Sequence, residues 1–350
     1  MFLFCISLFV VLPVGSRNTA YFSAALEKFG AFVRYLGGEY VAEAQTGIVK
    51  YTAAALVGAA LACSGAVFQG GYKNIIASPS IMGVQSGARL GNAVYTLLFV
   101  RIIEGFAAIR HDTAATKALS FWDTSLQQLF AMSFAVVTVL LVVLVTRLIG
   151  KGRFSAANIL FSGIVISAFI SSFITIIQYY FLYHDPSDQR WRTLQAFITG
   201  NFDRVVNYRD LFSMAVILVP CLTLLLYLSP RLNVLMMGEA EAQTMGLNVR
   251  RYRAAVTVMG ALMVGNVFAF CGQIGFVDFI VPQIARRIVG PDYRRLMLMS
   301  ILLGAILMML VYSFSLVIGF ARYLNIFTST IGCAMMIYSL IFGKGGRAYA

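Results

Sequence analysis

The chain is dominated by long apolar runs that are separated by polar breaks. Most runs are near the roughly 17–25 residues that an α-helix needs to cross about 30 Å of hydrocarbon. About ten are recognisable, at residues 2–14, 48–69, 82–103, 129–149, 158–183, 211–229, 254–271, 274–289, 296–320 and 325–342. Hydrophobic residues make up 60% of the sequence and charged residues 12%. A soluble domain could not bury so much apolar surface, so we expect an all-α polytopic membrane protein with about ten transmembrane helices.

The first run starts at the initiator Met, without a basic segment before it or a convincing cleavage site of small residues after it. A secretory signal peptide is therefore disfavoured. Because the run is short for a span, we expect a first membrane helix whose start is truncated.

The basic residues are distributed unevenly between alternate loops. With the amino terminus in the cytoplasm, the inner segments are 70–81, 147–157, 230–253, 286–295 and 343–350. These segments hold 14 Lys and Arg against three acidic residues, whereas the outer segments hold 12 against 11. Cytoplasmic loops of membrane proteins carry such an excess of Lys and Arg. The net charge of +13 thus indicates topology rather than nucleic-acid binding, and predicts a multi-pass cell-membrane protein with both termini in the cytoplasm.

Small and hydroxyl side chains recur at helical spacing in the fifth run. The stripe consists of Gly163, Ser167, Ser171 and Thr175, with Gln178 nearby. Small residues at this spacing let two membrane helices approach closely. Polar groups at membrane depth also tend to face a cavity or the bundle interior. The stripe is therefore compatible with helix packing and with the lining of a translocation pathway.

Two loops carry patterns of their own. The outer loop, residues 184–210, places aromatic residues such as Trp191 among balanced charges, which is typical of a short helix at the membrane interface. The inner loop, about 232–248, has helix formers between Gly238 and Gly246. That pattern predicts a short amphipathic cytoplasmic helix suited to docking on a partner, and it also fits an ordinary solvated connector.

The sequence contains no phosphate-binding loop of the form G-x-x-x-x-G-K-[ST], so any nucleotide hydrolysis must come from another chain. The five cysteines lie singly at apolar runs without metal-binding spacing. One carboxylate, Asp278, is close enough to a span to suggest an ion-coupled secondary transporter. We expect a non-enzymatic chain with no catalytic, cofactor-binding or metal site.

Four segments at characteristic spacing resemble one family of permeases. They read VGAALACSGAVFQ at 57–69, NIIASPSIMGVQSGARLG at 74–91, LNVLMMGEAEAQTMGLNVRR at 232–251 and GQIGFVDFIVPQIARRIVGPDYRR at 272–295. The sequence resembles the iron-siderophore, haem and cobalamin permeases of binding-protein-dependent ABC importers, the FecCD/BtuC-like family. The resemblance covers nearly the whole chain and implies one transmembrane permease domain over residues 1–350. It also implies that the last of the four segments is scaffold beside the pathway rather than a site of chemistry.

The resemblance implies roles for four groups of residues. The coupling helix, which would press into a groove on an ATPase subunit, comprises Gly238, Glu239, Ala240, Glu241, Ala242, Met245 and Gly246. The helix lining the pathway carries the stripe Gly163, Ser167, Ser171, Thr175 and Gln178. The outer gate comprises Trp191, Leu194, Phe197 and Gly200. Lys50 and Arg322 would meet acidic residues of the binding protein, and Gly47 occupies a position where the family has a second arginine.

By resemblance, the chain is a permease subunit for an iron chelate, either a ferric siderophore or haem. Its partners would be an ATPase dimer that binds the ATP, an extracytoplasmic substrate-binding protein, a second permease and the lipid bilayer. The alternatives are a cobalamin permease of the same family, an ion-coupled transporter that uses Asp278, and a scaffold membrane protein.

The chain departs from the family pattern at four places. An NPLA motif reads NIIA at 74–77, a motif histidine is Gln283, and Asp278 replaces a glycine. The ELPVG motif before the last helix is absent, and residues 321–325 read ARYLN. We therefore expect an altered entry into the tenth run, and one half of a heterodimer or an unusual homodimer.

Overall fold

The computed structural model describes residues 42–98, 113–149, 156–184, 194 and 197–342, and the regular elements there are α-helices. They are α1 (Ala42–Gly71), α2 (Val84–Leu98), α3 (Thr113–Ile149), α4 (Ala156–His184), α5 (Tyr208–Met237), α6 (Glu239–Thr244), α7 (Val249–Cys271), α8 (Val277–Val289), α9 (Tyr293–Ile318) and α10 (Leu324–Phe342). The predicted all-α class is confirmed. The expected first helix at 2–14 lies outside the described residues.

The prediction of about ten membrane spans agrees only approximately with the lengths of the described helices. Among the described helices, six are long and apolar enough to cross a membrane: α1, α3, α4, α5, α7 and α9. Helix α8 has 13 residues, which is about 20 Å at 1.5 Å per residue and shorter than the hydrocarbon layer. The run predicted at 274–289 is therefore only partly helical, because its first residues belong to the turn that precedes α8.

Two helices, α1 and α7, form the interior of the bundle. Their most apolar windows are 78% and 72% buried, whereas those of the other four candidate spans are 22–39% buried. Helix α1 packs against α5, α7, α8 and α9, and α7 also packs against α2 and α3. Lipid tails are as apolar as leucine, so close packing of small side chains, rather than hydrophobicity, decides which helices lie inside.

Glycines set the closest helix contacts. Gly58 of α1 and Gly304 of α9 face each other, and a Cβ at either position would collide with the backbone of the other. On α2, a Cβ at Gly87 would lie 2.7 Å from the Phe134 carbonyl oxygen, and one at Gly91 would lie 2.5 Å from that of Phe130. The contacts of Gly87 and Gly91 hold α2 on α3, and the turn at residues 72–83, which precedes α2, lies beside α4 and α8.

Candidate functional site

Helix α6 is a separate short helix where α5 ends and α7 begins. Gly238 and Gly246 flank it with φ angles of 150° and 82°, a region that side chains with a Cβ rarely adopt. Glycine at both ends therefore lets the chain turn sharply on leaving α5 and again before α7. Among the predicted coupling residues, Ala242 is buried, and Glu239, Ala240, Glu241 and Met245 are exposed. The short helix predicted for the inner loop is present, and most of its surface is uncovered in this chain.

Arg253 of α7 connects α6 to the interior of the bundle. Arg253 Nη2 donates to Glu239 Oε1 at 2.6 Å, which makes a salt bridge. Arg253 Nε donates to the carbonyl oxygen of Gly71, at the end of α1, at 2.8 Å. Hydrogen bonds in which the donor or acceptor is charged are among the stronger ones in proteins, and through this arginine α6 is bonded to the end of α1. Sequence reasoning missed Arg253, because its contact with Gly71 joins residues 182 apart in the chain.

Further polar contacts fasten the same end of the molecule. Asn233 Nδ2 donates to Asp292 Oδ1 at 2.6 Å, and Asn233 Oδ1 accepts from the Tyr293 backbone N–H at 2.8 Å. The amide of Asn233 holds the pKa of Asp292 below its ordinary value, because it donates to the charged carboxylate. Arg286 of α8 donates to Gln69 Oε1 of α1 at 3.3 Å. Residues of the 272–295 segment thus tie α1, α5, α8 and α9 together.

The described part of the predicted outer gate is fixed by backbone hydrogen bonds. The Phe197 carbonyl accepts from the Gln273 N–H at 2.8 Å, and the Gly200 carbonyl accepts from the Leu324 N–H at 3.0 Å. The Phe197 ring stacks on Phe268 with centroids 5.8 Å apart. The segment is therefore held between the end of α7 and the start of α10. Leu194 is buried against Ala93 of α2, and Trp191 lies outside the described residues.

Asn325 organises the entry into α10, where the family motif is absent. Its Oδ1 accepts from the Gly275 backbone N–H at 3.1 Å, and its Nδ2 donates to the Ile198 carbonyl at 3.3 Å. One side chain thus joins α10 to the turn before α8 and to the gate segment. An ordered entry into this helix is retained with different residues.

The two predicted docking cations meet at one carboxylate. Lys50 Nζ lies 3.4 Å from Asp203 Oδ1, and Arg322 Nε lies 2.9 Å from Asp203 Oδ2. The Arg322 side chain is 78% exposed, whereas that of Lys50 is 19% exposed. The structure therefore brings Lys50 and Arg322 together, and it adds Asp203, which sequence reasoning missed. Their contacts with Asp203 span 153 and 119 residues of chain, so no local pattern could have signalled them.

The hydroxyl stripe of α4 is packed at the Gly163 end, and its exposure varies from residue to residue toward Gln178. Gly163 is buried, and a Cβ there would lie 2.9 Å from Met82 Cα. A Cβ on Gly83 would lie 2.6 Å from the Ser167 hydroxyl oxygen, so this end of the stripe packs on residues 81–83. Ser171 is partly buried, Thr175 is exposed and Gln178 is buried. Packing accounts for the first two positions, and the role of the stripe in transport stays a prediction.

Asp278 is buried in the first turn of α8. Its Oδ2 accepts from the Ser80 backbone N–H at 2.9 Å and from the Ser80 hydroxyl at 2.6 Å. Gln85 Nε2 donates to the same hydroxyl oxygen at 2.9 Å. Asp278 thus fastens the 72–83 turn to α8. The donors around this carboxylate are uncharged, whereas a proton relay uses a chain of ionisable groups.

Comparisons with known proteins agree with this arrangement. The pattern of the FecCD transport family matches residues 1–342. The chain is 30% identical over 294 residues to the vitamin B12 import system permease BtuC of Vibrio cholerae, which it matches over 83% of this chain and 80% of that protein. It is 27% identical to the molybdate import permease MolB of Haemophilus influenzae, over 85% of this chain and 80% of that one. It is 28% identical to the hemin transport permease HmuU of Yersinia pestis, over 73% of this chain and 69% of that one.

A solved structure has the same fold. It is an inward-facing conformation of a metal-chelate type ABC transporter, and it superposes with a TM-score of 0.69 at 26% identity, over 93% of this chain and 98% of the other. The family match over almost the whole chain, the helical fold and the six apolar spans agree with one another. The chain therefore belongs to the FecCD transport family of ABC importer permeases.

Proposed function

We propose that this permease imports an iron chelate, either a ferric siderophore or haem, through the centre of a permease dimer that a separate ATPase drives. The observation that carries the coupling part of this proposal is the connection from α6 through Arg253 to the end of α1. A partner that grips the exposed surface of α6 has a direct mechanical link to the inner helix of the bundle.

ATP acts in this proposal through differential affinity. A partner shifts a conformational equilibrium only as far as its affinities for the two states differ. The ATPase dimer, which binds the ATP, holds α6 in one position when closed and in another when open. Because the Glu239–Arg253 salt bridge moves with α6, the two positions stabilise two arrangements of α1 and its neighbours.

The proposed orientation places α6 in the cytoplasm together with both termini. It is supported by the excess of Lys and Arg in the segments assigned to that side. Lys50 and Arg322, at the opposite end, then face an extracytoplasmic binding protein that delivers the substrate.

A cysteine introduced at Thr244 should react with a membrane-impermeant thiol reagent only in inverted vesicles, and one at Arg322 only in right-side-out vesicles. The reverse pattern would refute this orientation.

The iron-chelate assignment is supported by the hemin transport relative and by the metal-chelate transporter of the same fold. Cobalamin is the second candidate, because a vitamin B12 permease is among the relatives at 30% identity. Between Asn158 and Tyr183, α4 carries apolar, hydroxyl and amide side chains and no charged residue or histidine, so this part of the helix offers no set of chelating ligands that would select one cargo.

Uptake by a deletion strain tests the proposal. The strain would carry this permease with its binding protein, ATPase and any second permease, and would be given labelled ferric siderophores, haem, cobalamin and molybdate in turn. We expect uptake of an iron chelate that is lost with an ATPase that cannot hydrolyse ATP. Uptake of cobalamin or molybdate alone would refute the iron assignment. Uptake that persists without the ATPase and is abolished by Asp278→Asn would instead support an ion-coupled transporter.

A further inference from the structure

A groove of about 520 Å³ opens beside α6, between the end of α5 and the start of α7. Its lining has two parts. Leu228, Val234, Leu247 and Ala255 contribute apolar surface, and Arg231 and Arg251 contribute positive charge. Tyr252 closes part of the wall, because its hydroxyl donates to the Leu228 carbonyl at 2.9 Å.

The described residues do not neutralise the charge of the groove. The residues that line it include no carboxylate. Arg231 and Arg251 are exposed, and within the described ranges neither forms an ion pair with an acidic side chain. A ligand that carries negative charge would therefore find two available guanidinium groups at one site.

The groove also lies where the apolar surface of a span ends. Leu224 and Tyr227, on the last turns of α5 before the groove, are 48% and 73% exposed. Exposed apolar side chains on a candidate membrane span are suited to contact with lipid, and the apolar part of the groove continues this exposed surface of α5. Basic pockets at the cytoplasmic ends of transmembrane helices are suited to anionic lipid headgroups.

We infer that this groove binds an anionic phospholipid of the cytoplasmic leaflet. The phosphate lies against Arg231 and Arg251, and an acyl chain lies along Leu228, Val234 and Ala255. A soluble anion would match only the two arginines, whereas a phospholipid matches both parts of the lining. The choice of leaflet rests on the orientation given under the proposed function; the binding site itself does not. A lipid held here would contact Met245 and Leu247 at the end of α6 and so would stabilise one position of that helix.

Lipid binding to the purified, delipidated chain tests this inference. Native mass spectrometry would compare phosphatidylglycerol and cardiolipin with phosphatidylcholine, and inorganic phosphate would be added as a competitor. We expect the anionic lipids to bind more tightly than phosphatidylcholine. Arg231→Gln and Arg251→Gln should each weaken anionic-lipid binding about fivefold, and the double variant about thirtyfold. Arg250→Gln is the matched control, because Arg250 is an exposed arginine next to Arg251 that does not line the groove.

Three outcomes would overturn the inference. The first is equal binding of anionic and zwitterionic lipids, or an equal loss with Arg250→Gln. The second is displacement by millimolar inorganic phosphate, which would indicate a site for a soluble anion. The third is loss of the lipid from the assembled complex with the ATPase, which would assign the groove to the partner protein. None of these measurements depends on transport, so failure of the uptake experiment and failure of lipid binding are separate results.

Discussion

Asp292 stands at the start of α9, where its carboxylate accepts from the side chain of Asn233 and from the Arg294 backbone N–H. Its pKa lies below the ordinary value of 3.8, chiefly because the Asn233 amide favours the charged form. A carboxylate with a depressed pKa in the folded state stabilises the fold fully above its ordinary pKa, and this contribution is lost as the pH falls through the folded-state pKa.

Asp292→Asn should therefore lower the Tm in detergent at about pH 7, by about 2 °C. The difference from the wild-type chain should shrink as the pH falls below about 4 and should vanish below the folded-state pKa, where the carboxylate is protonated in both the folded and the unfolded chain. Thermal unfolding followed by size exclusion across this pH range is the measurement. In an Asn233→Ala background, Asp292→Asn should lower the Tm by a smaller amount. A Tm difference between Asp292→Asn and the wild-type chain that stays constant with pH would contradict this explanation.

The Glu239–Arg253 salt bridge is the other residue-scale feature with a measurable consequence. Couplings of this kind contribute about 0.5–2 kcal/mol, so Arg253→Gln should reduce ATP-driven uptake roughly two- to thirtyfold while leaving chain abundance unchanged. Glu239→Gln should have an effect of the same sign, and the double variant should lose less than the two single losses combined. Arg250→Gln serves as the control on α7. Additive losses in the double variant would show that the two side chains do not act through each other.

At the scale of elements, the packing of α1 on α9 decides whether the bundle forms. The two helices approach at Gly58 and Gly304, where the opposing surface at Gly304 is backbone and cannot move aside as a flexible side chain can. The same helix α1 carries another glycine, Gly47, with no atom within 4 Å of a built Cβ. The chain therefore supplies its own control for the effect of an added methyl group.

Gly304→Ala should destabilise the protein by about 1–3 kcal/mol, because the new Cβ would lie 2.6 Å from that of Ala62 and against the Gly58 carbonyl oxygen. Gly47→Ala should be neutral or slightly stabilising, since alanine favours a helix by up to about 1 kcal/mol over glycine. Fluorescence-detected thermal unfolding in detergent would measure both variants. Equal stability of the two variants would show that α1 and α9 are not in close contact.

At the scale of the whole molecule, charge distinguishes the two ends. One end carries α6, Arg253 and the arginines of the groove, and the other carries the cluster of Lys50, Asp203 and Arg322. In this cluster one carboxylate faces two cations, which leaves a net positive surface that would attract an acidic partner. Charges at the rim of an interface act mainly on the association rate and are screened by salt.

Arg322→Gln should therefore slow association with the proposed binding protein several-fold at low ionic strength, and Asp203→Asn should accelerate it. Both effects should fade as salt is raised, because the Debye length falls from about 10 Å at 0.1 M to about 3 Å at 1 M. Surface plasmon resonance with the permease in nanodiscs would measure the rates, and Arg250→Gln, at the opposite end, should leave them unchanged. Effects independent of salt would mean that the cluster acts structurally.

Much of the fold is predictable from sequence because its determinants are local. The apolar runs locate the helices, and Gly238 and Gly246 locate the ends of α6. The coupling segment, gate segment and docking cations come from motif resemblance, and the structure gives them contacts without testing their roles. The stripe on α4 was ambiguous for a physical reason, since small hydroxyl side chains suit a helix contact as well as a polar passage.

The sequence by itself determined that this is a helical membrane chain, since hydrophobic length and charge bias are read along the chain, and its four motif segments carry the resemblance to the FecCD family. Only the tertiary structure decided that Arg253 joins α6 to α1, that Asp203 holds Lys50 and Arg322, and that Asp278 is fastened to Ser80. Each of these contacts, apart from the short step between Glu239 and Arg253, joins residues more than 100 positions apart. Such pairs meet only after the helices have packed, and packing depends on the combined shape of many side chains rather than on any one segment.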